Sequence, residues 1–165
     1  MNLSTLKRGL KTALGLNKKT PIAAGQPAPE LDALDELGAR WTLETAKGQP
    51  FVLYFYPMDD TPGCTKESCA FRDALPSLGE LGVRVFGASM DGARSHVAFK
   101  QKYNLNFPLL VDEDGALAKR WGVEDGRVSR RVTFLVDGAG VVRNVWDPVS
   151  VGGHAGEVSA AIRAL

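Results

Sequence analysis

The run FVLYFY, residues 51–56, has no charged or small-polar interruption, and VRVFGASM, residues 83–90, is nearly as apolar. Runs of this length and type read as strands buried on both faces, which requires a sheet covered by helices on both sides. The intervening segments fit that demand. A helix is expected from about Pro62, and SHVAFKQKYNL, 95–105, has the period of an amphipathic helix. FPLLVD, 107–112, reads as a short strand and GALAKRWGV as a short helix. RVTFLVD, 131–137, and VVRNVW, 141–146, flank Gly138, Ala139 and Gly140 as the arms of a hairpin, and VGGHAGEVSAAIRAL closes as a helix. Gly38, between LDAL and RWTLE, predicts a small N-terminal β-hairpin. The sum is an α/β chain with a central mixed β-sheet flanked by helices.

Length and charge narrow the class. A chain of 165 residues buries one core without needing staples. Its net charge of +1 supplies no field for nucleic acid. No window approaches the roughly 18 apolar residues of a membrane span, and no apolar h-region marks a signal peptide. A cytoplasmic protein is therefore expected, and there two cysteines are more often catalytic or metal-binding than structural.

The first residues differ from the rest. Residues 1–20 carry Lys7, Arg8, Lys11, Lys18 and Lys19 with no acid, and Leu3, Leu6, Leu10 and Leu14 share one helical face. Such a basic amphipathic extension could touch an anionic membrane or a partner. Five charges anchor weakly without a second signal, so packing on its own domain or fraying is the favoured expectation. Residues 21–29, PIAAGQPAP, read as a linker into a domain spanning 30–165.

Both cysteines lie in YFYPMDDTPGCTKESC, where strand 51–56 gives way to a helix. Open α/β sheets bind ligands at such carboxyl ends. Thr61-Pro62 is a helix-start signal, with Thr61 expected to cap the free amides. Cys64 is then the third helical residue, facing unpaired N–H groups and the positive end of the helix dipole, surroundings that favour a thiolate. Gly63 leaves room for something to approach. Residues five apart on a helix have Cα atoms roughly 8.7 Å apart, beyond the ~7 Å limit for a disulfide. Cys64 and Cys69 therefore pair only if the helix opens, or Cys69 is a small core hydrophobe. Spacing alone leaves both readings standing.

The pattern Pro57-x-x-x-Thr61-x-x-Cys64 resembles the active-site signature of the peroxiredoxins, thiol peroxidases with a thioredoxin-like fold. The longer string YFYPMDDTPGCTKESCAFRD resembles the bacterioferritin comigratory protein (peroxiredoxin Q) subgroup, and the likeness extends through GASMDGARSHVAFKQKYNLNFPLLVDEDG and RVTFLVD. Residues 1–20 have no counterpart in it. The resemblance implies that Cys64 is the peroxidatic cysteine, that Pro57 shields its pocket, and that Thr61 hydrogen-bonds the peroxide or the sulfur. It places Arg131, within Arg131-Val132-Thr133-Phe134, beside the thiolate, with Glu67 bracing that arginine and Cys69 resolving. It further implies hydrogen peroxide and alkyl hydroperoxides as substrates, thioredoxin or a similar dithiol protein as reductant, a monomer, and no metal or organic cofactor. From the residues alone, a redox sensor that responds to oxidation of Cys64, or two inert cysteines, stay open.

The remaining candidates read as structural. Arg130 and Arg131 face opposite ways on a strand, and residue type does not choose between them. His96 and His154 lie too far apart for a Cys₂His₂ zinc finger. His154 is expected as a helix cap. Asp59 and Asp60 are expected to serve the dipole of the following helix. Trp41, Trp121 and Trp146 are expected to pack.

Overall fold

A computed structural model describes residues 19–46 and 48–165. Its main sheet has seven strands in the order β2-β1-β5-β4-β3-β8-β9. These are β1 (Asp32–Asp35), β2 (Arg40–Thr42), β3 (Phe51–Phe55), β4 (Arg84–Ser89), β5 (Leu109–Val111), β8 (Val132–Val136) and β9 (Val142–Trp146). The helices are α1 (Pro62–Glu80), α2 (Ala93–Tyr103), α3 (Ala116–Arg120) and α4 (His154–Arg163). β3, β4 and β5 run parallel, and β8 pairs antiparallel with both β3 and β9. The sheet is thus mixed, as the pattern of runs and turns requires.

The apolar runs are buried on both faces because their side chains alternate between two cores. Phe51, Leu53, Phe55, Phe86, Phe134 and Val136 enter one core, closed by Leu117 and Trp121 around α3. Val52, Tyr54, Tyr56, Val85 and Leu135 enter the other, closed by Phe71 and Leu78 of α1, Phe99 of α2, and Val158 and Ile162 of α4. The expected N-terminal hairpin forms as β1 and β2, with Gly38 at φ 83° in its turn, and β1 joins the main sheet against β5. Trp121 is fully buried, and Trp41 and Trp146 are half-buried packing residues.

A small second sheet, β6 (Glu124–Asp125) with β7 (Val128–Ser129), has no counterpart in the sequence expectations. Its signal is Gly126, which at φ 62° opens the two-residue turn Gly126-Arg127 between the paired Asp125 and Val128. Two-residue arms are too short to show a period.

Residues 1–18, and with them nearly all of the basic extension, lie outside the described residues. Thr20 is held at both ends: its N–H donates to Asp147 Oδ2 at 2.7 Å and its hydroxyl to the Trp121 carbonyl at 2.7 Å. Residues 25–28 of the expected linker lie along β9, where Gly25 N–H donates to Val142 O and Val142 N–H to Gln26 O. No helix among the described residues is long and apolar enough to cross a membrane.

Candidate active site

Strand β3 delivers Tyr56 and Pro57 to the carboxyl edge of the sheet, and a short loop leads into α1. Pro62 is the first helical residue, with Thr61 in extended conformation at the N-cap. The expected side-chain cap is absent. Thr61 Oγ1 instead donates to the Met58 carbonyl at 2.8 Å, closing the loop on itself. Thr61 gives no side-chain cap, and the first-turn amides of Gly63 and Cys64 have no intrahelical or side-chain acceptor among the described residues. An open helix N-terminus attracts electron-rich groups through these amides and the helix dipole.

Cys64 is buried on the inner side of this turn. Arg131, from the residue before β8, donates through Nη2 to Cys64 Sγ at 3.2 Å and through Nη1 to Glu67 Oε1 at 3.1 Å. Gly63 permits the approach: a Cβ at that position would sit 3.1 Å from Arg131 Nη2. The room left by Gly63 is therefore filled by the guanidinium. Arg130 turns the other way, donating to Asp147 Oδ1 at 2.6 Å and to the Gly122 carbonyl.

Burial works against the Arg131 charge, but the Cys64 sulfur and the Glu67 carboxylate more than compensate and hold its pKa above the usual value. At Glu67 the balance tips the other way. Burial pushes its carboxyl up to about 7, only partly offset by Arg131. Its Oε2 is buried with no hydrogen-bond partner among the described residues, so desolvation outweighs the ion pair at this end.

Cys69 lies about one and a half turns further along the same unbroken helix, free and half-buried. It is absent from both cores, which weakens its reading as a core hydrophobe. Between the cysteines, Ser68 Oγ is 2.8 Å from Tyr54 Oη, tying α1 to β3. Pro57 is half-buried at the end of the β3 run. Cys64, Arg131 and Glu67 thus form one contact cluster, whereas Thr61 bonds within its own loop.

Two expectations for nearby residues are corrected. His154 caps nothing; Gly153, at φ 76°, occupies the N-cap of α4. The buried imidazole places Nε2 2.8 Å from Thr133 Oγ1, edge-on to Phe71 and Trp146. Burial, helped by the Arg131 charge, lowers its pKa to about 4, so it is neutral at pH 7. Asp59 and Asp60 do not serve the α1 dipole either, because both are bound to side chains of α2.

Residues 24–145 match the model of the AhpC/TSA family. The chain belongs to this family, the peroxiredoxins. It is 45% identical over 145 residues to the peroxiredoxin bcp of Coxiella burnetii, covering 83% of this chain and 96% of that one. It is 43% identical to the chloroplastic peroxiredoxin Q of Suaeda salsa, matching 76% of this chain but spanning only 60% of that protein's length. Among solved structures, the bacterioferritin comigratory protein of Xanthomonas campestris, described for its alkyl peroxide reduction activity, superposes with a TM-score of 0.77 at 34% identity, covering 89% of this chain and 96% of that one. The thioredoxin-like fold of these peroxiredoxins is the fold described above.

Proposed function

We propose that the protein is a thiol peroxidase that reduces hydrogen peroxide and alkyl hydroperoxides at Cys64. The observation that carries this reading is the Arg131 guanidinium against Cys64 Sγ at the uncapped N-terminus of α1. A cation and free N–H groups converge where a thiolate would meet a polarised O–O bond. The sulfur attacks the distal oxygen, the S–O bond forms and the O–O bond breaks. Hydroxide or alkoxide leaves and takes up a proton, so the peroxide is reduced and Cys64 is oxidised to a sulfenic acid. Negative charge moves from sulfur to the departing oxygen, and donors fixed at both ends stabilise that transfer. Arg131 and the first-turn amides are in place to do so. Glu67 orients the arginine, Thr61 lends its hydroxyl to the peroxide when the Met58 bond exchanges, and Pro57 limits access of water.

Cys69 then condenses with the sulfenic acid, releasing water and forming an intramolecular disulfide. On an intact helix the two Cα atoms are roughly 8.7 Å apart, so the first turns of α1 must unwind. A dithiol protein of the thioredoxin type restores both thiols by exchange. The protein acts as a cytoplasmic, monomeric antioxidant enzyme without metal or organic cofactor.

Intact mass after one equivalent of peroxide, with thiols blocked under denaturing conditions, tests the scheme. Wild type should lose two hydrogens, Cys69→Ser should retain a trappable sulfenic acid, and Cys64→Ser should be silent. A sulfenic acid without disulfide in wild type would remove Cys69 from the mechanism. No change in any of the three would end the peroxidase reading.

A further inference from the structure

The loop between Tyr56 and α1 is fastened to α2 by charges that the peroxide chemistry leaves unused. His96 is fully buried. Its Nδ1 lies 2.7 Å from Asp59 Oδ2, and its Nε2 lies 2.9 Å from the Leu110 carbonyl. A carbonyl oxygen and a carboxylate accept and have no proton to give. A neutral imidazole has one N–H, which would leave one ring lone pair facing an oxygen. Satisfying both contacts takes both protons, hence an imidazolium paired with Asp59.

The surroundings support the pair. Asp59 also accepts from the Tyr56 hydroxyl at 2.6 Å and from Ser95 Oγ at 2.8 Å. Its own N–H donates to Asp91 Oδ2 at 2.9 Å. Burial alone would pull the proton off His96, but the Asp59 hydrogen bond and charge, the Leu110 carbonyl and Asp91 reverse that, and its pKa is raised. Asp59, Asp91 and His96 could each offer a ligand atom to a metal, yet an imidazolium that donates from both nitrogens has no lone pair for one. Asp60 adds a second tether. It sits at φ 56°, a left-handed conformation costly for a residue other than glycine. Lys102 Nζ at 2.7 Å and the Tyr103 hydroxyl at 2.6 Å, both from α2, hold it there.

The geometry points to His96 as a positioning residue for the attack of Cys64 on peroxide: as a buried imidazolium it holds Asp59, and through Asp59 the loop that sets Pro57, Thr61 and the open first turn of α1. This role rests on the thiol-peroxidase reading. His96 touches neither substrate nor sulfur. It acts on the preorganisation of groups whose misplacement by about 1 Å costs up to about a hundredfold in rate. The same clamp opposes the opening of α1, so removing it separates the two chemical steps: attack slows while disulfide closure does not.

The experiment follows both steps by stopped flow in reduced full-length protein, for wild type, His96→Gln, Asp59→Asn, the double variant, and Val158→Ala as a core control in α4. His96→Gln and Asp59→Asn should each lower the second-order rate constant for peroxide about tenfold or more without slowing closure. The double variant should cost no more than the worse single one, because both remove the same interaction. Val158→Ala should lower the melting temperature without producing the split. Nitrogen-edited NMR of wild type provides a readout independent of the variants' folding: both His96 nitrogens should carry protons at pH 7.5. A single protonated nitrogen, unchanged attack rates, additive losses, or a split reproduced by Val158→Ala would overturn the role. A wild type silent toward peroxide would overturn it together with the peroxidase reading, whereas a reactive wild type with an indifferent His96→Gln would overturn it alone.

Discussion

The two faces of the central sheet are built on opposite principles. On the α3 side, Phe51, Leu53, Phe55, Phe86, Trp121 and Phe134 interlock with scarcely a polar atom among them. On the side covered by α1, α2 and α4, the same strands contribute Tyr54, Tyr56 and Thr133, and the helices add Cys64, Glu67, Ser68, His96 and His154, all buried. One face obtains its stability from area removed from water and from close packing. The other accepts the desolvation of polar and charged groups, which are costly unless paired. The polar face is where the proposed chemistry would take place. The apolar face holds the strands rigid, and the polar face uses that rigidity to hold a sulfur, a guanidinium and an imidazole in register.

The sharpest test of this division replaces one residue on each face. Arg131→Gln should lower the rate of Cys64 oxidation by about 10²–10³, the usual cost of removing one preorganised charge-stabilising donor, with a smaller loss of stability than a core truncation because the freed Glu67 can take up a proton near pH 7. Phe134→Ala should do the reverse. A fully buried ring leaves a cavity worth about 3–5 kcal/mol, while the folded fraction should react with peroxide at close to the wild-type rate. Stopped-flow kinetics and denaturant unfolding on both variants check the pair. Equal kinetic losses from the two would mean that the faces are not separable.

The two faces also differ in how plainly the sequence announces them. FVLYFY and VRVFGASM expose the buried strands because burial on both sides demands an unbroken apolar run. Gly38 and Gly138 to Gly140 announce their hairpins through turn chemistry. The helix start at Thr61-Pro62, and with it the placing of Cys64 in the first turn, is equally local. What local pattern does not carry is contact across the chain. Nothing in residues 59 or 96 alone indicates that Asp59 meets His96, and the expectation that Asp59 and Asp60 serve the α1 dipole follows from the same blindness. His154 looked like a cap because it precedes a helix, but Thr133 draws its ring inward. Arg131 could be told from Arg130 only by resemblance, since neighbouring strand residues differ in facing and not in kind.

Glu67 offers a smaller effect with a definite sign. Burial raises its carboxyl from 4.5 to about 7, so between those values the folded protein holds a proton that the unfolded chain has released. The Glu67 contribution to stability should therefore fall as pH rises from about 4.5 to about 7 and level off above. His154, lowered from 6.5 to about 4, contributes an opposite rise, so the Glu67 part is read as the difference between wild type and Glu67→Gln. Glu67→Gln keeps an acceptor for Arg131 and has no charge to bury. Its stability gain over wild type should be near zero at pH 5 and grow to about 1–3 kcal/mol at pH 8, read from urea unfolding at the two values. A gain independent of pH would mean that Glu67 does not titrate in this window.

The mildest change tests whether the polar face resists the opening of α1 that the proposed disulfide requires. The Tyr54–Ser68 hydrogen bond, 2.8 Å long and buried, fastens α1 to β3 between the two cysteines. Unwinding that reaches Ser68 must strain or break it. Tyr54→Phe removes the hydroxyl while keeping the ring stacked on Phe71. The loss should be about 1 kcal/mol of global stability. If the bond is broken at the transition state for closure, the disulfide should form up to about fivefold faster, with Cys64 oxidation unchanged. An unchanged closure rate would place the opening entirely N-terminal to Ser68, confining the unwound segment to the turn that holds Cys64.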